Sequence, residues 1–407
     1  TVKYGENSFT VDNTPVYYDG TSKNYYYYKW SDTNGDMITV GEFAERFANY
    51  TGKVDVYHQY AEGKEPLAVG TVERIFENGT IKYADGKFVP VGNFHTDIQN
   101  AELEVNTGAS EECILNYYNE TIGEGYYFTN AVSNDTKKYT AEEVSELAKS
   151  GPVNFNAYYA VAEKTYELGS VHSEVKASVA YDNTTDKYTV TATVTLKSPD
   201  NSIDITEEVG VYDASTGKGY YFEFTDDKGT KSTQEQLNNR FEGFTGKAEI
   251  YYQCEDGKTV VKAGEVERIL ESTELTYENE VFVPKGTFHT EVRSLDDSQT
   301  LKTIYTSEGK ECVLSYYDEA LDEGYYFEDA SGNKYTAETA TALIKSEPSS
   351  FEVHYKDGEN IADIGNVESS ISSAIERGEN HTYPVTSTIT VKYGENSFTV
   401  DNTPVYY

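Results

Sequence analysis

TVKYGENSFTVDNTPVYY occupies Thr1–Tyr18 and returns letter for letter at Thr390–Tyr407. Eighteen identical residues at an offset of 389 positions mark a long-period repeat, and a fixed period governs how the rest of such a chain is read. We expect the 407 residues to be one full period, plus an overlap, of a longer tandem array. The opening Thr and a single methionine, Met37, agree with a segment cut from something larger.

The period is itself doubled. Thr51-Gly-Lys recurs at Thr245, Val72-Glu-Arg-Ile at Val266, and Asn93-Phe-His-Thr as Thr287-Phe-His-Thr, each 194 residues on; Gly125-Tyr-Tyr-Phe recurs 199 on, at Gly324. Each half divides again. An aromatic strand appears at Tyr25–Tyr28, Tyr126-Tyr-Phe, Tyr220-Tyr-Phe and Tyr325-Tyr-Phe. Thr39–Glu42, Thr140–Glu143 and Ser232–Glu235 then show capping-box spacing, a hydroxyl at N-cap and a carboxylate three residues on, while Thr336–Thr339 keeps only the cap. Helices are expected at Val40–Tyr50 and at Glu142–Lys149, the latter with Val144, Leu147 and Ala148 on one face. An alternating strand follows each helix, and a Gly-x-Val step opens the next element at Gly70, Gly169, Gly264 and Gly365. These glycines lie 99, 95 and 101 residues apart, so related units of about 97 residues fill the period.

The expected units are 1–98, 99–190, 191–292 and 293–389, with 390–407 opening the next period. The third resembles the first and the fourth the second. Seven or eight short alternating strands with one short helix give a mainly β fold, read as an immunoglobulin-like β-sandwich. A β-grasp arrangement is the alternative, because strand–helix–strand also fits a sheet packed on a helix. Val367, Ile371 and Ile375 carry a helical spacing, whereas the equivalent Val171–Val179 reads as a strand.

Apolar content is 37%, below the average of about 45–50%. Even so, 38 Tyr and 17 Phe supply buriable surface. Seventy acidic against 33 basic residues give a net charge of −37, which repels nucleic acid and anionic membranes. No apolar run is long enough to span a bilayer. The three cysteines form no disulfide framework: Cys113 and Cys312 fall at equivalent places in the two halves and read as buried free thiols beside Cys254.

The six histidines, His58, His95, His172, His289, His354 and His381, show no metal or hydrolase spacing and read as structural or surface residues. No nucleophile motif is present, and the chain reads as non-enzymatic and without a cofactor. Asp32, Asn34 and Asp36 offer oxygens at near Ca²⁺-loop spacing, but the glycine and distal glutamate of an EF-hand are absent, so a turn is the reading. Asn49, Asn78, Asn119, Asn134, Asn183 and Asn380 open glycosylation sequons at a frequency chance supplies. An isopeptide cross-link would draw on Lys53 and Lys247 or on Lys138 and Lys334, for which no acceptor asparagine can be assigned. Four tyrosines in one strand must send two rings to each face, as cross-strand packing or as a platform for sugar or protein.

Repeated β-rich units of this size, few cysteines and an acidic surface resemble the stalk regions of bacterial cell-surface adhesins. The resemblance is architectural and carries over no functional residue. It implies an extracellular, cell-surface protein that acts as a spacer or fibre shaft, with neighbouring repeats as its partners. The alternative is a multivalent binding module for host glycan, mucin or immunoglobulin. In the C-terminal copy, Val391, Tyr393, Phe398 and Val400 form apolar strand faces without a sheet of their own. We expect them to dock on the preceding unit or to be held by the next chain through strand addition.

Overall fold

The computed structural model describes residues 1–11, 16–18, 25–31, 35–100, 105–133 and 136–401. It is predominantly β, with short helices between sheets of a repeating plan: among the described residues there are four multi-stranded sheets and one two-stranded hairpin. Each large sheet is a meander in chain order: a short aromatic strand, a helix, a second strand, then a long hairpin. The long hairpins are Leu67–Ala84 with Lys87–Asn100, Lys164–Asp182 with Lys187–Ser198, Val260–Glu278 with Val281–Leu295, and Asn360–Ile375 with Val385–Tyr393. The chain groups into two compact bodies, Thr1–Val175 with Val194–Ile205, and Lys176–Thr193 with Thr206–Tyr407.

The helices form where the caps are. Helix α1 (Val40–Asn49) starts at Thr39, whose backbone N–H donates to Glu42 Oε2 at 2.7 Å while its hydroxyl accepts from Glu42 N at 3.2 Å. Helix α2 (Ala141–Ser150) repeats this with Thr140 and Glu143 at 2.8 and 3.1 Å. The backbone donors hold both carboxyls below their ordinary pKa. Helix α3 (Gln234–Phe241) corrects the expected cap by one residue: Thr233 and Gln236 close the box, not Ser232 and Glu235. The adjacent pairs offer the same chemistry, and the register that buries Leu237 and Phe241 decides. Helix α4 (Ala337–Ser346) keeps only the Thr336 hydroxyl, as expected. On α2 the buried face is Ala141, Val144, Ser145 and Ala148, and Leu147, expected inside, is exposed. A tyrosine of the first strand fixes each even helix to its sheet: Tyr126 Oη accepts from Ala141 N and Tyr325 Oη from Ala337 N, both at 3.2 Å.

Each Gly-x-Val glycine sits at a register shift in the strand pairing, a bulge that bends the long strand. At Gly70 and Gly264 an added Cβ would lie 2.0 and 2.3 Å from the facing carbonyls of Gln99 and Arg293, so only glycine fits. The Val367, Ile371, Ile375 segment is a strand, not a helix.

The first and third long hairpins each serve two cores. In the first body, Phe76, Ile81, Phe88 and Phe94 of the first hairpin are buried with Tyr126, Phe128, Phe155 and Tyr159 of the second sheet and with Val144 and Ala148 of α2. Ser145 locks the contact, donating to Ala141 O at 2.6 Å and accepting from Phe88 N at 2.8 Å. The second body repeats the arrangement. Phe282 and Phe288 of the third hairpin join Tyr325, Phe327, Phe351, Tyr355 and α4, with Thr341 in the place of Ser145 and accepting from Phe282 N at 3.1 Å. Also in the second body, Tyr188 stands edge-on to Phe222 at 5.1 Å, and its carbonyl accepts from Tyr220 Oη at 2.7 Å. Burying one such aromatic side chain contributes about 1.5–3 kcal/mol, so the second and fourth sheets draw part of their stability from the hairpin before them.

Candidate functional site: the joints between sheets

The most deeply buried charges stand where one sheet meets the next. Glu124 opens the first strand of the second sheet (Glu124–Asn130) and is almost fully buried. It accepts from Thr51 N at 2.6 Å, from Thr51 Oγ1 at 3.0 Å and from the Tyr159 hydroxyl, and Arg46 Nη1 lies 3.4 Å away. Thr51 and Arg46 close the helical segment of the first sheet, so one carboxylate ties the two sheets together. Glu323 repeats the latch in the second body, accepting from Thr245 N and the Tyr355 hydroxyl with Arg240 Nη2 at 3.3 Å. Burial first, and then the neighbouring carboxylate charge, push the Tyr159 and Tyr355 hydroxyls far above 10, which keeps both as donors. A cavity of about 600 Å³ opens beside the second latch, lined by Arg240, Lys247, Arg268, Glu323, Tyr355 and Asp357. Sequence reasoning passed over both glutamates. The Thr-Gly-Lys repeat marked their partners, and the acid just before each Gly-Tyr-Tyr-Phe was one among 70.

On the sheet face away from the helix, tyrosine pairs hold lysines. Lys138 Nζ lies 3.1 Å from the Tyr118 ring centre and 4.6 Å from Tyr127. Lys334 lies 3.7 and 4.2 Å from Tyr317 and Tyr326, and Lys231 lies 4.8 and 4.6 Å from Tyr212 and Tyr221. Each ring pair is edge-to-face, with centres 5.6–5.8 Å apart. In the first sheet Met37 takes the lysine's place two residues before the cap, and Lys29 reaches Tyr27 and Tyr57 instead. Each contact of this kind contributes about 0.5–1 kcal/mol at an exposed site. The four-tyrosine strand divides as its pleat requires. Tyr28 stacks on Phe43 of α1 at 4.4 Å, and the buried Tyr27 stacks on Tyr57 at 5.6 Å on the other face.

The remaining expected residues are placed as follows. Lys53 and Lys247 lie 3.2 Å from Glu73 and Glu265, while Lys138 and Lys334 are the clamp lysines. His95 Nδ1 lies 2.9 Å from Glu77, and His289 Nδ1 lies 3.0 Å from Glu271. Cys113 and Cys312 are half-buried, which corrects the expected burial, because both lie on edge strands with one side uncovered; Cys254 is buried. All three are free, and burial pushes the Cys113 thiol up and the Cys254 thiol to about 11. Of the Ca²⁺-loop residues, Asp32 and Asn34 lie outside the described residues. Among the described residues no group of three or more His, Cys, Asp or Glu side chains could hold a metal ion, and no helix is long and apolar enough to cross a membrane.

Residues 390–401 of the C-terminal copy belong to the fourth sheet, and 402–407 lie outside the described residues. Val391 pairs with Ser369 and with Phe398, and Tyr393 with Val367 and Asn396. Val391 is fully buried, and Tyr393, Phe398 and Val400 pack against the same core, Phe398 stacking on Tyr277 of the third hairpin at 4.1 Å. Comparison with protein-family models, with curated proteins and with solved structures finds no match to this chain.

Proposed function

We propose that the chain is a structural repeat region, a non-catalytic spacer or shaft of an extracellular filament or cell-surface adhesin. The observation that carries this reading is the shared core, in which the far half of one hairpin closes the sheet that follows it in the first body and again in the second. A unit that completes its core with its neighbour gains length by repeating one contact, as solenoid arrays do. Glu124 and Glu323, the most buried charges among the described residues, spend their hydrogen bonds on that contact. We divide the period into four units, 1–98, 99–190, 191–292 and 293–389. Each is read as one sheet packed on one helix, which the β-grasp alternative shares and two facing sheets of a sandwich do not. Val391, Tyr393, Phe398 and Val400 are then the strand joint to the following period, and neighbouring repeats are the principal partners.

Small-angle scattering tests the shaft. A compact globule of this length has a radius of gyration of about 22 Å. We expect a value well above that, and a value at that level overturns the reading.

A multivalent binding module for host glycan, mucin or immunoglobulin is the second reading. It draws on Tyr117 and Tyr316, equivalent residues that are exposed to nearly the same degree, each edge-on to its neighbour Tyr126 or Tyr325. A glycan array with hits lost in Tyr117→Ala supports it, and an array without hits removes it.

A further inference from the structure

Equivalent positions expose two surfaces that answer each other. The valine two residues after each Gly-x-Val glycine is fully buried at Val171 and Val266 and nearly so at Val367, but only half-buried at Val72. The residue paired with Val72 across the first hairpin is Ile98, 44% exposed, whereas its counterpart Val292, paired with Val266, is fully buried. On α1, Val40 is exposed where Ala141 and Ala337 of α2 and α4 are buried. The first sheet therefore folds with the top of its core open.

The fourth hairpin shows the converse. Its far half carries Ile371 and Ile375 on the face of the buried Val367, with Val385 opposite Ile375. These are 42%, 68% and 40% exposed. Ile371 stands six residues after its glycine, where the first hairpin has Phe76, which is buried against Tyr159 at a ring distance of 4.4 Å. The face that closes the following core at the first and third hairpins is covered at the fourth only as far as the fully buried Ile389, and its outer part, Ile371, Ile375 and Val385, is exposed.

We propose that the far half of the fourth hairpin docks on the open core of the first sheet in a second copy of this chain, with Ile371, Ile375 and Val385 covering Val40, Val72 and Ile98. The proposal deepens the shaft reading by naming the partner and both faces of the joint. The occupant is a second copy because the hairpin face and the sheet-and-helix face are the two halves of a contact that the chain makes within itself at the first and third hairpins. No strand needs to be displaced, since the C-terminal copy already sits beside the docking face. The contact is heterologous, so copies add head to tail. With −37 charges on each copy, association strengthens as salt rises.

Sedimentation of the full chain from about 1 µM to 1 mM, at low and high salt, tests this. We expect a mass that climbs past dimer with concentration. Ile375→Asp removes the donor face and Ile98→Asp the acceptor face. Both side chains are exposed, so each variant should keep the circular dichroism and melting of the parent and remain monomeric. An equimolar mixture of the two should stop at dimers, because one live donor meets one live acceptor and the outer ends are dead. A parent that stays monomeric, a variant that associates like the parent, or a mixture without dimers overturns the joint. A monomeric parent with a large radius of gyration would overturn it while leaving the shaft reading in place.

Discussion

The two copies of TVKYGENSFTVDNTPVYY share every residue and one backbone register, yet they differ in what covers them. In the N-terminal copy Val2 faces Phe9, Lys3 faces Ser8 and Tyr4 faces Asn7; in the C-terminal copy Val391 faces Phe398, Lys392 faces Ser397 and Tyr393 faces Asn396. Val2 is 45% and Phe9 52% exposed, whereas Val391 is fully buried and Phe398 lies against Tyr277. Val391 also has a second strand partner, Ser369, which Val2 lacks among the described residues. The hairpin is thus a property of these letters, and its burial is a property of the neighbour.

The largest effect that can break this comparison is a charge at the shared valine. Val391→Asp places a carboxylate in the core of the fourth sheet with no cation opposite and should cost about 3–5 kcal/mol. Val2→Asp, on an open face, should change stability by less than about 0.5 kcal/mol. Denaturant titration of both variants measures the difference, and equal losses would mean that the N-terminal copy is also buried in solution.

The two latches supply a matched control, because Glu124 and Glu323 open the same letters, Glu-Gly-Tyr-Tyr-Phe, and stand in the same surroundings. Glu124→Gln and Glu323→Gln should each cost about 1.5–3 kcal/mol, the loss of hydrogen bonds to a charged acceptor. Since the chain forms two bodies, each loss is read from the transition of its own body. A loss at one latch alone would show that equal surroundings do not give equal energies here. Smaller again is Phe398→Ala, which gives up the stack on Tyr277 and a half-buried ring for about 1–2 kcal/mol; Phe9→Ala should be silent in the same melt.

What the sequence disclosed follows the same division between local and distant causes. Caps at Thr39, Thr140 and Thr336 were legible because the bond spans three residues, and the slip at Ser232 arose because two neighbouring pairs satisfy one rule. Val367, Ile371 and Ile375 looked helical because a step of four fits a strand of period two as well as a helix of period 3.6, and only pairing with Tyr393, Ile389 and Val385 separates the two. Glu124 was illegible for the converse reason. Its partners Thr51 and Arg46 lie 73 and 78 residues upstream, and its recurrence in Glu-Gly-Tyr-Tyr-Phe at Glu323 marks a repeat without naming a partner. The sharing of cores between sheets stayed hidden likewise, since the alternation of a long hairpin is the same whether its face covers its own helix or the next one.

The smallest effect is the most discriminating, because it should be equal at its source and unequal in its outcome. Gly5 and Gly394 open the two hairpin turns at φ +58° and +48°, and an added Cβ at either would meet no atom within 4 Å. Gly5→Ala and Gly394→Ala therefore cost only the left-handed backbone, about 1 kcal/mol in each copy. The N-terminal hairpin is a bare two-stranded ribbon of marginal stability, in which 1 kcal/mol shifts the folded population about fivefold. The C-terminal hairpin is held by the Val367–Ser370 strand segment and by Tyr277 and Phe282, so the same cost lowers the melting of the second body without opening the turn. Cross-strand nuclear Overhauser contacts between residues 2 and 9 should fade in Gly5→Ala, while those between 391 and 398 persist in Gly394→Ala. If both sets persist, the N-terminal hairpin has cover of its own; if both fade, the docking at Tyr277 is too weak to serve as a joint.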